Sequence, residues 1–541
     1  MKIQLHYKII FFFLFIFSSL MSQEIKLSWT DRVNYDNKTN GFLAEIIGST
    51  HDNVYVLHNF YGFNPMKKVR LIAYDKKTMR IQNSISLKGF DKKTIAQSLL
   101  KELEFFDAVT TDSTILVFWT RISKQEHQLI FQIYDINLRL IQDMTIIDEV
   151  KLKKHPGNTP FFIVNSNPIT IGHTDYIQEA IVVSYKTINK ENALKKNVFS
   201  IPLEKTNLEP DFSYIESSNK VFYVVRNQSL NSFVSGTNTV YNYTPDFANK
   251  KIISLKYLFT DSSVRLSGFY SDLFLDKKGE DIHGVFYQEL NNQLAIKVEK
   301  FNPFTKGELD NVFKNDISDR KDMSFFKKKT KKASEEVSLP TNYQIEQTLT
   351  SPTNTTIFCA RMNNYSTTTC SGSTGCVTNY YCEKENITTI SLNREGTIEW
   401  ITNIDRYKKY SSWNVKDLNA IFLNDTSFLI TYGSTVDPIT KYSKSKNDLI
   451  NTFEYVTLNQ KNGSYKINKQ EVNSIGVKNR DKKIIKPQLI EAMNNELYFI
   501  DQKRYVHPLV YLTFVVPPVF IVLLLSSTSK RGRGNIGVLR K

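Results

Sequence analysis

Residues 112–141 read DSTILVFWTRISKQEHQLIFQIYDINLRLI, and this stretch decides the fold. A polar turn precedes a run rich in β-branched and aromatic residues, and after a loop a second such run ends in Tyr134-Asp135, before a short turn and a return strand. The same order occurs about 60 residues earlier, where residues 51–57, 71–75 and 79–82 read HDNVYVL, LIAYD and MRIQ. This repetition predicts an array of similar small sheets.

Weaker copies of the unit occur downstream, in strand-like runs around Ile357, Leu429 and Tyr498 that lie roughly 70 residues apart. Long segments of helical periodicity are nearly absent between Glu24 and Arg504, so we expect an all-β body. We predict that residues 23–504 form a β-propeller of about seven blades, with six or eight as alternatives, because ring closure protects strand edges. Stacked β-sandwiches are the competing architecture, but they do not predict a shared Tyr-Asp turn.

The hairpin at residues 391–400, SLNREGTIEW, resembles the outer-strand hairpin of many propellers. We expect Asn393 to start the turn, Gly396 to adopt positive φ and Trp400 to pack between blades. The hairpin is also similar to Asp-box and quinoprotein-type turns, although it lacks the aspartate that the Asp-box prefers.

One segment departs from the strand pattern. Leu309, Val312, Phe313 and Ile317 recur at helical spacing and predict a helix. It leads into a lysine-rich run at residues 327–332, so we expect a helical and basic insertion at about 303–337. A solvated charge run is the simplest interpretation of the lysines; contact with an acidic partner or with lipid headgroups is the alternative.

The N-terminus has the three parts of a secretory signal peptide. Two lysines precede an apolar run at residues 9–17, and small residues lead to an expected cleavage between Ser22 and Gln23. We predict a signal peptide at residues 1–22. An uncleaved anchor is the alternative, and export follows from either.

The C-terminus carries 19 uncharged residues at 509–527, followed by Lys530, Arg531 and Arg533. Such a stretch can just span a bilayer, and the basic cluster fits the positive-inside rule. We therefore predict a transmembrane helix within 505–529 and a basic cytoplasmic tail at 530–541. A prolyl pair at 517–518 opposes a helix. The alternatives to a transmembrane helix are a last strand of the fold followed by a loose tail, and a processed sorting signal.

Charge argues against a nucleic-acid partner. The chain has 70 Lys and Arg against 54 Asp and Glu, a net charge of +16, but seven of the basic residues lie in the two acid-free ends, 1–22 and 530–541. The body therefore lacks the concentrated positive charge that DNA or RNA binding needs.

The cysteines are clustered in one loop, 359–382, and in an exported chain this predicts disulfides. Three pairings are possible; we prefer Cys359–Cys382, with Cys370–Cys376 inside it. A zinc site is the rival, but the spacing lacks the two-residue knuckle of structural zinc. The loop is rich in Thr, Asn, Ser and Tyr, and we expect it to be a recognition surface.

Enzyme signatures are missing from the sequence: we find no nucleophile elbow, phosphate-binding glycine loop or zinc-protease motif. The histidines are scattered, and we expect no catalytic residue, cofactor or metal. We predict a membrane-anchored binding or scaffolding propeller at the cell envelope, with a protein or glycan partner. One alternative is a carbohydrate or peptide hydrolase, with carboxylates such as Glu102/Glu104 or Glu280/Asp281 in the channel. A second, less favoured alternative is an envelope sensor.

Residues 266–271 and 284–287 read LSGFYS and GVFY. This pair, with the Lys-, Ile- and Asn-rich usage, resembles uncharacterised exported β-propeller-like proteins of flavobacteria. The resemblance implies export and a propeller, and it brings no activity with it.

Overall fold

The computed structural model describes residues 26–29, 33–36, 42–59, 69–87, 103–122, 126–151, 161–164, 169–177, 180–188, 194–202, 211–215, 221–226, 228–234, 239–260, 262–279, 281–313, 338–340, 342–371, 375–410, 418–424, 426–432, 452–471, 489–493, 496–505 and 531–540. The predicted signal peptide lies outside these residues.

The first strands of the chain, β1 (Lys26–Trp29) and β2 (Val33–Asp36), belong to the last sheet. Sheet 1 consists of β3 (Phe42–Ser49), β4 (Asn53–Asn59), β5 (Val69–Asp75) and β6 (Ile81–Ser86). Sheet 2 consists of β7 (Leu103–Thr110), β8 (Thr114–Ile122), β9 (Glu126–Asp135) and β10 (Leu140–Lys151). Sheet 3 consists of β11 (Phe161–Val164), β12 (Ile169–Ile177), β13 (Ala180–Ile188) and β14 (Leu194–Pro202). Sheet 4 consists of β15 (Asp211–Ile215), β16 (Val221–Arg226), β17 (Ser229–Val234) and β18 (Val240–Tyr243).

Sheet 5 contains β19 (Lys250–Phe259), β20 (Ser263–Asp272), and, after the short β21 (Asp281–Ile282), β22 (Gly284–Asn291) and β23 (Ile296–Pro303). Helix α1 (Lys306–Phe313) follows, and β24 (Leu339–Pro340) pairs with β21. Sheet 6 consists of β25 (Tyr343–Thr350), β26 (Asn354–Ser371), β27 (Gly375–Asn393) and β28 (Ile398–Tyr410). Sheet 7 consists of β29 (Asn419–Asn424), β30 (Ser427–Thr431), β31 (Thr452–Asn459) and β32 (Tyr465–Glu471). Sheet 8 consists of β33 (Leu489–Met493), β34 (Glu496–Tyr505) and β35 (Arg531–Arg540), and β35 also pairs with β1 and β2.

Strand order and sheet contacts identify a β-propeller. Each sheet is an antiparallel meander in chain order, except that β1 and β2 complete sheet 8. First strands of neighbouring sheets contact one another, as β3 does with β7 and β25 with β29, and β33 contacts β3, so that the last sheet returns to the first. Among the described residues, eight such sheets are present; the sequence predicts about seven blades, with eight as an alternative. The prediction of a propeller rather than stacked sandwiches is confirmed.

The hydrophobic core lies between neighbouring sheets. Between sheets 1 and 2, for example, Tyr55 and Leu57 pack with Val117 and Trp119, all almost fully buried. Strands in the middle of a sheet are covered on both faces, and β9 is buried along nearly its whole length. This explains why the middle strands read as continuous apolar runs, whereas the outer β10 is largely exposed.

The two ends of the ring differ. A meander places its first and third turns at one end, which we call the turn end, and its second connection and the link to the next sheet at the other, which we call the connection end. The Tyr55 hydroxyl donates to the Ile136 carbonyl over 2.9 Å, and Trp400 Nε1 donates to the Gln460 carbonyl over 2.9 Å. Both acceptors lie in the third turn of the following sheet, so these neighbouring turn ends lie together.

The third turns of five sheets share one chemistry. Each begins with an Asp or Asn whose Oδ1 accepts a backbone N–H two to four residues later: Asp75, Asp135, Asn291, Asn393 and Asn459. Each then contains a residue at positive φ: Met79, Leu138, Leu294, Gly396 and Gly463. The Tyr-Asp turn that defines the repeat is therefore a capped turn with a left-handed residue.

The expected hairpin at residues 391–400 is confirmed. Asn393 Oδ1 accepts the Thr397 N–H over 2.8 Å, Gly396 has φ of 79°, and Trp400 reaches the next sheet through its bond to Gln460. A side chain on Gly396 would place a Cβ 2.5 Å from Tyr287 of sheet 5, so glycine is required there for space as well as for φ.

The predicted helix is present as α1. Thr305 and Glu308 form a capping box, in which each side chain hydrogen-bonds the backbone N–H of the other. Leu309 and Val312 are buried between sheets 5 and 6, and Asn403 of β28 donates to the Val312 carbonyl over 2.7 Å. The lysine-rich part of the expected insertion lies outside the described residues.

The C-terminus differs from the expected topology. Residues 531–540, predicted as a cytoplasmic tail, form β35, which pairs with β34 from Leu497↔Leu539 to Tyr505↔Arg531. Cα atoms of paired residues lie about 5 Å apart, whereas a single crossing separates its ends by the roughly 30 Å of a hydrocarbon core. The single-pass arrangement with a tail on the far side is therefore wrong, and Tyr505 belongs to the ring.

A helix able to cross a membrane is not found in the described part of the chain. The apolar stretch 509–527 lies outside that part. Its flanking residues, Tyr505 and Arg531, are both at the connection end of sheet 8.

Candidate functional site

A long hairpin of sheet 6 extends from the connection end of the described part of the chain. Strands β26 and β27 have 18 and 19 residues, while the strands beside them pair only as far as Arg361 and Cys382. Beyond these rows β26 and β27 pair with each other as a ribbon up to Ser371↔Gly375. We call residues 364–371 and 375–381 the arm; at 3.3 Å per residue it is about 25 Å long.

A disulfide closes the end of the arm. Cys370 and Cys376 are directly opposite in the register and are bonded, which confirms the predicted inner pair. The predicted Cys359–Cys382 pair is wrong: Cys359 lies opposite Thr388, and Cys382 lies opposite Asn364. Five residue steps separate the two positions, about 17 Å along the strand, and a disulfide requires Cα atoms within about 7 Å. Burial raises the pKa of the Cys359 thiol and keeps it protonated.

The arm surface is uncharged and rich in hydroxyl groups. The Tyr365 and Tyr381 rings lie 5.3 Å apart, and the Thr368 and Thr378 hydroxyls hydrogen-bond across the ribbon over 3.0 Å. Tyr380 is 46% exposed, and most of the described side chains around it are also exposed. The sequence-based expectation of a polar, disulfide-closed loop corresponds to this ribbon.

Ion pairs hold the base of the arm. Arg361 and Glu385 are 3.3 Å apart, Lys384 and Glu346 are 2.7 Å apart, and all four side chains are at most 9% exposed. Next to Glu385, Asn386 adopts a φ of 43° at a bulge that shifts the register of β27. Buried pairs with fixed geometry disfavour other registers, so we expect them to fix how the arm leaves the ring.

A second polar cluster joins sheets 2 and 3, and the scattered histidines of the sequence gave no indication of it. His173 Nδ1 lies 2.5 Å from Asp148 Oδ2, and Lys186 Nζ lies 3.2 Å from Asp148 Oδ1. Burial alone would raise the pKa of Asp148, but the hydrogen bonds and charges of His173 and Lys186 lower it below its usual value. The contacts link the outer strand of sheet 2 to sheet 3, which is a structural role.

Nearby, His127 lies with its ring 5.1 Å from that of Phe161 and is 1% exposed. Burial lowers its pKa, so the ring stays neutral. Its Nε2 atom makes no hydrogen bond with the residues that the structure describes.

The structure describes one member of each carboxylate pair proposed for a hydrolase. Glu104 lies in β7 of sheet 2, and Asp281 lies in β21 beside sheet 5, so they belong to different parts of the ring. Glu102 and Glu280 lie outside the described residues.

A cleft of about 830 Å³ lies at the turn end between sheets 1 and 2, lined by turn residues that include Asp52, Asp75 and Asp112. Hydrogen bonds from the Thr78 side chain and backbone lower the pKa of Asp75, whose carboxylate is thus engaged in its own turn. The cleft follows from the capped turns.

No protein-family model and no curated protein match the chain. Among solved structures, it is similar to the WD40 domain of SCAP from fission yeast, with 12% identity, a TM-score of 0.29, and coverage of 76% of this chain and 96% of that one. It is also similar to the Nup133 β-propeller domain of Vanderwaltozyma polyspora, with 11% identity, a TM-score of 0.33, and coverage of 74% and 96%. A third similarity, to S. cerevisiae core factor, has 8% identity, a TM-score of 0.34 and coverage of 84% of this chain, which spans 62% of that one. Similarities at these scores carry no argument about function.

Proposed function

We propose that the protein is an exported, eight-bladed binding or scaffolding propeller of the cell envelope, and that the arm contacts its partner. The observation that carries the proposal is the arm itself: a disulfide-closed ribbon that extends past both flanking strands, in a segment, 363–382, without a single charged residue. The chain as a whole is 23% charged. Natural proteins place charges on projecting strands to prevent pairing, so an uncharged arm indicates a surface selected for contact.

The composition of the arm favours a protein partner. Tyr, Ser, Thr, Asn and Gly dominate it, and Tyr, Ser, Gly and Asn are the residues enriched in antibody binding loops. There, tyrosine gives contact area at low entropic cost and the small polar residues give adaptable hydrogen bonds. The disulfide limits the conformations of the free arm, which lowers the entropic cost of binding.

Export and envelope location are part of the proposal. They rest on the signal-peptide pattern of residues 1–22, and the Cys370–Cys376 disulfide supports them because such bonds persist in oxidising compartments. We further propose that the apolar stretch 509–527 holds the protein at a membrane. The pairing of Tyr505 with Arg531 then requires the chain to enter and leave the membrane on one side.

A photo-crosslinking amino acid in place of Tyr380 tests the binding role in the source organism. We expect a discrete cross-linked species that is absent when the same group replaces Ile467, a 39% exposed residue on the outer strand of sheet 7. Replacing residues 365–381 by Asn-Gly, which keeps the Asn364↔Cys382 pair as the last row before a two-residue turn, should abolish partner co-purification. Identical patterns from both positions would contradict the proposal.

Location requires a separate experiment. Fractionation should compare the full chain with a variant whose residues 509–527 are replaced by a Gly-Ser linker, because removal of 531–540 would also remove a strand of sheet 8. Release of the linker variant into the soluble exported fraction is the expected result. A full chain found in the cytosol would refute export.

A further inference from the structure

The loop between β20 and β21 presents two large apolar side chains to solvent. Phe274 and Leu275 are each 75% exposed, the highest values among the large apolar residues that the structure describes. Backbone bonds to the Asp272 carbonyl from Leu275 and Asp276, over 3.1 and 2.9 Å, define the turn. We call Phe274 and Leu275 the apolar tip.

Side-chain hydrogen bonds also hold this turn. The Asp272 carboxylate accepts the Phe274 N–H over 3.0 Å and pairs with Lys250 over 3.3 Å. Asp276 accepts the Lys278 and Asp281 N–H groups, each over 3.0 Å. Both carboxylates of the turn are thus engaged internally, while Lys277 and Lys278 beside the tip are exposed.

The apolar tip differs from the other exposed apolar residues. Apart from Tyr380 of the arm, those that the described sheets expose lie along outer strands: Ile81, Leu140, Ile141, Ile146, Val198, Val240, Ile296 and Ile467. Only Leu140 and Ile141 are neighbours in sequence, and successive residues of a strand point to opposite faces of the sheet. Scattered apolar residues on a surface need no explanation. Two adjacent apolar residues at the end of a hydrogen-bonded turn do need an explanation, because their exposure to water is costly and the turn holds them exposed.

The tip lies at the same end of the ring as the arm and the residues that flank the apolar stretch. It lies in the second connection of sheet 5, at the connection end, and the arm extends from the same end of sheet 6. Tyr505 and Arg531, which flank the apolar stretch, lie at the connection end of sheet 8. Asp36 at the end of β2 is six residues before Phe42 at the start of β3, so the connection ends of sheets 8 and 1 are adjacent.

We propose that the apolar tip inserts into the interfacial region of a lipid bilayer, with Lys277 and Lys278 near anionic headgroups. Apolar side chains beside lysines suit this boundary, because the rings and alkyl chains enter the acyl region while the ammonium groups stay among headgroups. The connection end then faces the membrane. This inference rests on the envelope location proposed above and adds a second contact, from described residues, to that of the apolar stretch.

Vesicle flotation tests the insertion. Two forms of the full chain are tested: the unmodified chain, and a chain in which a Gly-Ser linker of equal length replaces residues 509–527. The linker form ensures that membrane binding by the apolar stretch does not hide the contribution of the tip. The vesicles contain phosphatidylcholine with an anionic fraction of phosphatidylglycerol, because Lys277 and Lys278 are proposed to lie near anionic headgroups. In the linker chain, Phe274→Ser with Leu275→Ser should lower partitioning by about tenfold or more. The matched control, Ile141→Ser with Ile296→Ser, removes two exposed apolar side chains from outer strands and should leave partitioning unchanged.

The depth to which the tip enters the bilayer provides a second readout. A Phe274→Trp variant should lose tryptophan emission on vesicles with brominated acyl chains, while an Ile296→Trp variant should not. Equal partitioning of the tip and control variants, or an unquenched Trp at position 274, overturns the proposal. Loss of the Tyr380 cross-link in the tip variant with vesicle binding unchanged also overturns it, and would assign the tip to a protein partner.

The outcomes separate this inference from the proposed function. Tip-dependent insertion without any arm-specific cross-link would refute the binding role and leave the insertion standing. An arm-specific cross-link with tip-independent partitioning would refute the insertion alone.

Discussion

Leucine at a left-handed backbone position gives a direct test of how the third turns are stabilised. Leu138 has a φ of 63°, in the turn position that Gly396 and Gly463 occupy in sheets 6 and 7. An L-residue there costs about 1–2 kcal/mol relative to ordinary backbone. Leu138 is nevertheless only 3% exposed and packs in the core between sheets 1 and 2, so burial of its side chain offsets the strain.

We predict that glycine is the better replacement at this position, although it is normally the worse one. Leu138→Ala should cost about 2–5 kcal/mol for the lost packing and retain the backbone strain. Leu138→Gly loses slightly more packing but relieves the strain. The control is Leu116, 3% exposed in the middle of β8, where glycine should be worse than alanine by about 0.5–1 kcal/mol.

The measured quantity is the difference in unfolding free energy between the Gly and Ala variants at each site, from urea titrations followed by circular dichroism. The Gly-minus-Ala difference at 138 should be more favourable than that at 116 by about 1–2 kcal/mol, the strain itself. Equal differences at the two sites would refute the reasoning, because they would mean that φ at Leu138 carries no energetic cost.

Three further outcomes follow from the structure. Alkylation under denaturing, non-reducing conditions should label Cys359 and Cys382 but neither cysteine of the arm disulfide, as peptide mass spectrometry can show; a Cys359–Cys382 bridge would contradict the register. His127→Gln should make unfolding free energy depend less on pH between pH 7 and 5. Burial depresses the pKa of His127 in the folded state, so the unfolded chain binds a proton below its usual pKa of about 6.5 while the folded ring stays neutral. The wild-type protein therefore loses stability as the pH falls, by at most about 1.4 kcal/mol per pH unit, and the variant should lose less. Deletion of 531–541 should abolish the cooperative thermal transition, whereas a soluble, folded product would show that β35 is dispensable.

Local patterns predicted the repeating unit because its chemistry is local. The strand runs and the capped Tyr-Asp turn each depend on a few neighbouring residues, and both recur at a regular spacing. The same holds for Cys370 and Cys376, whose short separation places them across a hairpin.

Long-range pairing was not predictable in the same way. Residues 531–540 read RGRGNIGVLR, in which three glycines disfavour a strand interior and basic residues follow an apolar stretch. Strand formation there depends on β34 and on β1, about 500 residues earlier in the chain. The Cys359–Cys382 prediction failed for a related reason: it assumed that the strands end near these cysteines, whereas β26 and β27 continue to Ser371 and Gly375.

The turn end and the connection end of the ring differ in structure. At the turn end, Asp and Asn caps and left-handed residues fix short turns, and hydrogen bonds such as those from Tyr55 to Ile136 and from Trp400 to Gln460 join neighbouring sheets. That end has little freedom to change without loss of stability. The arm and the apolar tip both project from the connection end, on adjacent sheets. If the arm holds a partner and the tip inserts into a membrane as proposed, both contacts would form at the same end of the ring, and we expect them to be linked. Binding at one favours binding at the other, because each lowers the entropic cost of orienting the ring.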